Sequence, residues 1–308
     1  MCLALAAVAL QRELTGIDRA DVLSDLRSYG ALELSAALAL TAASFLTLGM
    51  LELLTLRHVG EAGSARAVGR RTAITTAYMA HALSQSMGFA IFTGAAIRLR
   101  TYVGRGVGAI TVARVSTFVT VTITLGLLAA TGVALLGDAL PGSHPAMRRV
   151  VAGVAFILAP IAYLAWSLLG RREAIGRGAW RVLRPSPALA SGQILLSALD
   201  WLITGMVLFL LLREWIAVPY STFLAAYMLA QAVGFASQIP GGLGAFDATF
   251  LAILAPRADT GALAASLVMY RVIYYLVPLA GALAMLGFSE LRRRAHPAHP
   301  ARPRALRV

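Results

Sequence analysis

Long hydrophobic segments alternate with short polar ones along this chain. Each is at least 20 residues long, the length at which a helix crosses the roughly 30 Å hydrocarbon core of a bilayer. Their apolar positions are continuous rather than alternating, which favours helices over the strands of a membrane barrel. The pattern therefore predicts an all-α, polytopic integral membrane helical bundle. The hydrophobic segments cover residues 31–56, 72–97, 110–136, 149–169, 191–212, 221–256 and 263–287.

The polar ends of the chain complete the predicted organisation. Residues 1–30 contain a short apolar stretch and a polar, slightly acidic one, which indicate a truncated first helix followed by an amphipathic surface segment. Residues 31–287 form the membrane domain. Residues 288–308 are basic and rich in proline, which is typical of a disordered tail.

The arginines predict how the chain is oriented. All 27 basic residues are arginine, and the formal net charge is +13. They are concentrated in segments 57–71, 98–108 and 170–190 and in the tail, which the positive-inside rule places in the cytoplasm. This explanation of the basic charge excludes nucleic acid as a partner. We expect a multi-pass protein of the plasma membrane with a cytoplasmic C-terminal tail.

Two of the hydrophobic segments cannot be simple crossings under this orientation. Both flanks of segment 72–97 are cytoplasmic, and both flanks of segment 221–256 are external. Each segment contains a polar or glycine-rich interruption, at 84–88 and at 237–242, where proline and glycine disfavour a continuous helix. We therefore predict two broken, re-entrant helical hairpins entering from opposite sides. The second half then repeats the first upside down, an arrangement typical of alternating-access transporters.

The second interruption carries the strongest local signal, the run Ser237-Gln-Ile-Pro-Gly-Gly-Leu-Gly-Ala-Phe-Asp247. Pro240 suits the first position of a helix. The free N–H groups of a half-helix beginning there form an anion site, and a lipid phosphate is the obvious anion. The alternative is a packing kink between tightly crossed helices.

Charged residues inside the hydrophobic segments are the other candidates. Asp200, Asp247, Arg114 and Arg271 each cost roughly 2.5–3.5 kcal/mol at the centre of a membrane, so such residues usually face a cavity or a partner. A structural Asp–Arg pair locking two helices is the alternative. Arg114 is close enough to a segment end to reach the interface.

Other polar residues have more ordinary interpretations. Glu33 and Glu52 are near segment ends and are interpreted as interfacial. The amides Gln85, Gln231 and Gln238 either line a groove or bond between helices. The aromatic residues Trp201, Tyr270, Tyr274 and Tyr275 are interpreted as a headgroup-level belt.

No motif indicates an enzyme. The chain has no Walker-type loop, no GxGxxG after a strand, no GxSxG elbow and no pair of metal-binding histidines. Cys2 is the single cysteine. We predict no catalytic residues, no metal and no cofactor.

Three motifs resemble the lysylphosphatidylglycerol synthase/flippase transmembrane family. They are PGGLGAFD at 240–247, TGAAIRLRTYVGRG at 93–106 and YRVIYYLVP at 270–278, and the acid in LSALDW also matches. The similarity runs from about 31 to 290. Asp247 departs from the family pattern, which usually has glutamate there. The soluble aminoacyltransferase domain of bifunctional members has no counterpart in these 308 residues, so the chain resembles the standalone form.

The resemblance implies a lipid flippase that moves aminoacylated phosphatidylglycerol or a related phospholipid between leaflets. Gly241, Gly242 and Gly244 would cradle the phosphate, Arg98 and Arg271 would neutralise it, and Asp200 and Asp247 would receive a headgroup amine. The full predicted substrate site is Arg98, Arg114, Asp200, Gln238, Pro240, Gly241, Gly242, Gly244, Asp247, Tyr270 and Arg271.

Two other functions stay open at this point. One is a membrane subunit of a lipid-modifying enzyme, which a neighbouring soluble transferase would favour. The other is a proton-coupled transporter of a small solute that uses Asp200 and Asp247. The predicted partner is an anionic or aminoacylated membrane phospholipid, and a homodimer and a separate soluble transferase are left open.

Overall fold

A computed structural model of the chain describes residues 29–59, 64–87, 90–137, 146–170, 174–175, 182–212, 216–254 and 260–295. Within these ranges the chain is a bundle of helices. The helices are α1 (Ala31–Val59), α2 (Ser64–Val68), α3 (Arg70–Met87), α4 (Ala90–Val103), α5 (Ala109–Leu136), α6 (Ala146–Leu169), α7 (Pro187–Leu212), α8 (Tyr220–Ser237), α9 (Ala245–Leu254), α10 (Thr260–Arg271) and α11 (Val277–Ala295). A short antiparallel hairpin, β1 (Ala174–Ile175) and β2 (Val182–Leu183), lies between α6 and α7.

Within the described ranges, five helices are long and apolar enough to cross a membrane. They are α1, α5, α6, α7 and the continuous stretch Ala262–Arg292 that joins α10 to α11. Each coincides with a hydrophobic segment read from the sequence. The prediction of a polytopic helical membrane bundle is confirmed.

The two remaining hydrophobic segments are broken hairpins, as predicted. In the first, α3 ends at Met87, α4 begins at Ala90, and the two helices pack against each other. In the second, α8 ends at Ser237, a 3₁₀ turn covers Pro240–Gly242, and α9 begins at Ala245 and packs back on α8. α9 has 10 residues, so it rises about 15 Å, half the thickness of the hydrocarbon core.

The break before α9 follows from its backbone angles. Gln238 adopts a left-handed conformation with φ of 55°, and Gly241 and Gly242 have φ of 65° and 63°. A residue with a side chain pays a steric penalty in this region, whereas glycine does not. The paired glycines therefore allow the chain to reverse within a few residues.

The contacts between the two halves are reciprocal. α1 and α7, which begin the two halves, pack along each other. α3 of the first hairpin contacts α11, the last span of the second half, and α8 of the second hairpin contacts α5, the last span of the first half. This exchange is the contact pattern that a two-fold relation between inverted halves produces.

The last span contains a π-helical segment, Val272–Leu276, between α10 and α11. A π turn is wider than an α turn by one residue and occurs frequently at functional sites. Here it directly follows Arg271 and contains Tyr274 and Tyr275.

Two boundaries differ from the sequence prediction. α11 continues to Ala295, so residues 288–295 are helical rather than part of a disordered tail. α4 continues to Val103, so Arg98 lies within a helix and not in a loop. The predicted features of residues 1–28 and 296–308 lie outside the described residues.

The crossing of α5 and α7 depends on Gly126. A Cβ at Gly126 would lie 2.1 Å from Ser197 Oγ and 2.8 Å from the Ser197 carbonyl carbon. We expect Gly126→Ala to force the helices apart and to lower the stability by about 1–3 kcal/mol, the range for overpacked cores. The apparent melting temperature of the detergent-solubilised protein measures this effect.

Gly192 on α7 provides the matched control, because a Cβ there meets nothing within 4 Å. Gly192→Ala should leave the melting temperature unchanged or raise it slightly, since alanine is the better helix former. Equal melting temperatures for the two variants would contradict the close α5–α7 approach.

Candidate functional site

The two broken hairpins meet at one cavity of about 150 Å³. The carbonyl oxygen of Gln85, at the end of α3, lies 3.9 Å from the position that a Cβ on Gly241 would occupy. The breaks are therefore close neighbours although 156 positions separate them along the chain. The polar and aromatic residues that line the cavity are His81, Ser84, Gln85, Arg98, Thr120, Asp200, Trp201, Thr204, Gln231, Phe235, Gln238, Tyr274 and Tyr275.

Asp200 is the acidic residue on the cavity wall. It is 5% exposed and lies in the middle of α7. Ser44 Oγ donates to Asp200 Oδ1 at 2.6 Å, and Thr47 Oγ1 donates to the same oxygen at 2.9 Å. Both donors come from α1, so the carboxylate also ties the first span of one half to the first span of the other.

The hydroxyl groups around Asp200 form a connected network. Ser44 Oγ lies 2.9 Å from the hydroxyl oxygen of Tyr274, and Thr204 Oγ1 donates to that same tyrosine oxygen at 3.0 Å. Tyr274 is 3% exposed. The network thus links α1, α7 and the π-helical segment at the cavity.

A buried ion pair holds the first hairpin. Arg98 on α4 donates from Nε and a terminal nitrogen to Glu52 on α1, with distances of 2.7–3.0 Å. Tyr102 donates to the same carboxylate at 2.7 Å. Glu52 is fully buried, at 0% exposure, so the interpretation of Glu52 as interfacial was wrong. Sequence position near a segment end did not reveal that a helix from the same half would cover it.

Gly94 makes room for this pair. A Cβ at Gly94 would lie 2.9 Å from a terminal nitrogen of Arg98 and 3.1 Å from Ser84 Oγ. The guanidinium therefore occupies space that any larger residue on α4 would fill. Arg98 lines the cavity while its charge is balanced by Glu52.

A second, partly buried ion pair holds the second hairpin. Arg271 on α10 donates to Asp247 Oδ2, and the backbone N–H of Gly244 donates to the same oxygen at 3.0 Å. Asp247 lies in the first turn of α9, so its carboxylate also satisfies a backbone donor at the helix start. Arg271 thus pairs with Asp247, and this pair joins α9 to α10.

The backbone donors of the glycine-rich turn are largely engaged within the turn. The N–H of Gly242 bonds to the Ile239 carbonyl at 2.9 Å, and the N–H of Leu243 bonds to the Pro240 carbonyl at 3.2 Å. The N–H of Gly244 bonds to Asp247, as described above. A phosphate at this turn would have to displace these acceptors.

The structure separates the predicted site residues into two groups. Arg98, Asp200, Gln238, Gly241 and Gly242 line the cavity. The remaining residues lie behind it or elsewhere in the bundle. This second group is Arg114, Pro240, Gly244, Asp247, Tyr270 and Arg271.

Tyr270 and Tyr274 correct the interpretation of the aromatic residues. They are 2% and 3% exposed and stack against each other inside the bundle. Tyr270 bonds to the hydroxyl of Tyr227 at 2.9 Å. They are core residues with paired hydroxyl groups rather than part of a headgroup-level belt.

Sequence reasoning missed several residues of the cavity wall, above all His81, Ser84 and Thr204. His81 Nε2 and Gln85 Oε1 are buried atoms with no hydrogen-bond partner in the described part of the chain. His81 and Gln85 lie four positions apart on α3, on one helical face. The spacing of these two polar residues, next to a predicted break, could have indicated from the sequence that this face of α3 lines a polar cavity.

Together these features define a class: a helical membrane protein in which two broken hairpins, one from each half of the chain, enclose a polar cavity. No protein-family model matches the chain. A protein of Synechocystis sp. named uncharacterized protein slr0712 is 32% identical over 219 residues, covering 70% of this chain and 67% of that protein. The chain belongs to the same protein family as this cyanobacterial protein.

Two further relatives are more distant. Inner membrane protein YbhN of Escherichia coli is 26% identical over 274 residues, covering 87% of this chain and 83% of that protein. A phosphatidylglycerol lysyltransferase of Staphylococcus xylosus is 25% identical over 298 residues, covering 94% of this chain and 33% of the enzyme. The chain is thus similar to one third of a protein named phosphatidylglycerol lysyltransferase.

Proposed function

We propose that this protein is a lipid translocase that moves aminoacylated phosphatidylglycerol, or a related phospholipid, between membrane leaflets without catalysing a chemical step. The observation that carries the proposal is the polar cavity where the two broken hairpins meet. The relationship to a protein named phosphatidylglycerol lysyltransferase supports the substrate class.

The cavity offers complementary groups for such a headgroup. The carboxylate of Asp200 attracts an ammonium group, and the rings of Trp201, Tyr274 and Tyr275 favour a cation near their faces. Arg98 is the cation on the same wall and attracts the phosphate. The headgroup would cross through the cavity while the acyl chains stay in the lipid.

The size of the cavity indicates that passage requires movement. At about 150 Å³, it is smaller than the roughly 300–1,000 Å³ of ordinary ligand sites. The hairpins must therefore separate to admit a headgroup, first toward one leaflet and then toward the other. Inverted repeats with broken helices provide two related conformations of this kind.

The orientation of the chain is part of the same proposal. The positive-inside rule predicts that the arginine-rich segments between the spans and the C-terminal tail lie on the cytoplasmic side of the plasma membrane. The first hairpin then enters from the cytoplasm and the second from the outside.

Reconstituted vesicles containing lysylphosphatidylglycerol test the function. A membrane-impermeant, amine-reactive reagent should modify about half of this lipid in protein-free vesicles, because half of it faces inward. With the protein present, we expect the modified fraction to approach completion. A fraction that stays near one half in vesicles containing folded protein would contradict translocation.

Arg100→Gln serves as the matched control, because Arg100 forms an exposed pair with Glu290 away from the cavity. This variant should transport at the wild-type rate. An amine enclosed in the vesicles serves as the leakage control. It must stay unmodified, because its modification would show that the reagent had entered the vesicles.

One observation favours the alternative of an enzyme subunit. The chain corresponds to one third of the staphylococcal lysyltransferase, so a separate soluble transferase would complete that architecture. Lipid aminoacylation that requires both proteins, without translocation by this one alone, would support it. Uptake of a soluble solute that needs no particular lipid would instead favour a proton-coupled small-solute transporter.

A further inference from the structure

We propose that Asp200 binds an exchangeable proton and that this proton competes with the cationic headgroup, so that the protein works as a lipid–proton antiporter. This inference rests on the proposed function and names its energy coupling. It is carried by the geometry of the carboxyl group at the cavity.

Asp200 has no cationic partner among the described residues. The described ion pairs join Arg98 to Glu52, Arg100 to Glu290 and Arg271 to Asp247. An ionised carboxylate that is 5% exposed costs several kcal/mol when no opposite charge balances it. Neutral hydroxyl groups offset only part of that cost. A bound cation or a proton must supply the rest.

The hydrogen bonds distinguish the two oxygens of Asp200. Both described donors, Ser44 and Thr47, bond to Oδ1. Oδ2 accepts no hydrogen bond from any described residue. A neutral carboxyl group has this asymmetry, because its carbonyl oxygen accepts and its hydroxyl oxygen carries the proton. Since Asp200 lines the cavity, the proton on Oδ2 can exchange there.

A metal ion fits the same place less well. The hydroxyl groups of Ser44, Thr204 and Tyr274 lie 2.9–3.5 Å from one another, which are hydrogen-bond distances. These hydroxyl groups therefore satisfy each other rather than surrounding an ion. Within the described ranges, no group of three His, Cys, Asp or Glu side chains is placed to hold a metal.

Among the ionisable groups that line the cavity, Asp200 is the carboxylic acid. His81 from α3, Arg98 from α4 and the hydroxyls of Tyr274 and Tyr275 line the same space. The helices packed on α7 otherwise contribute groups that are already bonded. These are Glu52 of α1 with Arg98, Tyr163 of α6 with Gln193, Tyr227 of α8 with Tyr270 of α10, and Arg271 of α10 with Asp247. α5 lines the cavity with Val119, Thr120 and Ile123, which do not titrate, and its Arg114 is not part of the lining.

The exchange balances in charge and protons. A protonated Asp200 meets a lipid ammonium group, releases its proton to the aqueous side that is open, and pairs with the ammonium through Oδ2. When the lipid leaves on the opposite side, Asp200 takes a proton from that side. One proton moves against each cationic lipid, and no other reactant is needed.

A pH gradient across vesicles tests the coupling. One pH unit corresponds to a factor of about ten in equilibrium for one proton per lipid. We expect the steady-state ratio of lysylphosphatidylglycerol between leaflets to shift by up to about tenfold, toward the more acidic side, and to reverse when the gradient is reversed. An unchanged ratio in vesicles that do translocate the lipid would overturn the coupling and leave the translocase intact.

Asp200→Asn is the informative variant, because its amide oxygen still accepts from Ser44 and Thr47 while its side chain neither releases nor binds a proton on titration. It should fold, and any residual lipid exchange should ignore the gradient. Glu290→Gln, an acid in the exposed pair with Arg100, should respond like the wild type. A gradient response retained in Asp200→Asn would overturn the assignment.

Proton release on lipid binding can be measured in the purified protein, independently of transport. Adding lysylphosphatidylglycerol to the purified protein in weakly buffered detergent should release about one proton per bound lipid, and phosphatidylglycerol should release none. Infrared difference spectra should show the loss of a protonated carboxyl band in the wild type and not in Asp200→Asn. Absence of both signals in a protein that binds the lipid would overturn the proposal, even if translocation were never observed.

Discussion

Glu52→Gln is expected to destabilise the protein more than any other single change considered. The substitution leaves the guanidinium of Arg98 without its counter-charge, although Arg98 is only 3% exposed. Breaking a buried pair by removing one partner costs about 3–5 kcal/mol. Tyr102 also loses an ionic acceptor that it meets at 2.7 Å. We expect little folded protein after extraction, measured as the monodisperse fraction in size-exclusion chromatography and by the apparent melting temperature.

Two comparisons make this prediction specific to the buried pair. Glu290→Gln breaks an ion pair of 2.6 Å whose side chains are 38% and 45% exposed, and such pairs contribute about 0–1 kcal/mol. The double variant Glu52→Gln with Arg98→Gln removes both charges and should recover part of the lost stability. If Glu52→Gln and Glu290→Gln melt alike, the Glu52 carboxylate does not stabilise the bundle.

Asp247→Ala and Arg271→Ala are expected to abolish lipid translocation. Neither residue lines the cavity, so the effect acts through the position of the glycine-rich turn. Removing either partner frees α9 from α10, and Asp247→Ala also leaves the N–H of Gly244 without its acceptor. The vesicle assay measures transport, and hydrogen exchange of residues 238–246 should show faster exchange at the turn.

Asp247→Glu is the control for this pair, because it keeps the carboxylate and adds one methylene. It should retain most of the transport and the slow exchange of the turn. Wild-type transport by both alanine variants would refute a role for the pair in translocation. Loss of transport without faster exchange at the turn would indicate a direct contact with the lipid instead.

The sequence predicted those features that depend on local chemistry. Continuous apolar segments specify spans, because lipid allows few other backbone arrangements. The turn at Pro240, Gly241 and Gly242 was predictable because these residue types restrict or release the backbone. The arginine distribution then required each broken segment to return to the side from which it entered.

The partners of the charged residues were not predictable in the same way. Arg98 looked like one more arginine of a cytoplasmic loop, yet it is buried against Glu52, which is 46 positions away. Asp200 and Arg271 both lie deep in apolar segments, but Arg271 pairs with Asp247 and Asp200 bonds to hydroxyl groups of α1. Such choices depend on which helix faces meet, and nearly uniform hydrophobic helices give little periodicity from which to infer a face.

The five-residue π-helical segment has a mechanical consequence for the last span. It begins directly after Arg271, which holds the second hairpin, and it contains Tyr274, which bonds to Ser44 beside Asp200. An α-helix turns about 100° per residue, so tightening this segment to α geometry would rotate everything beyond it by about that angle relative to α10. Arg271 would stay paired with Asp247 of the second hairpin, while the hydroxyl group of Tyr274 would move away from Asp200. The extra residue of the π turn would therefore allow the two ends of the last span to rotate relative to each other.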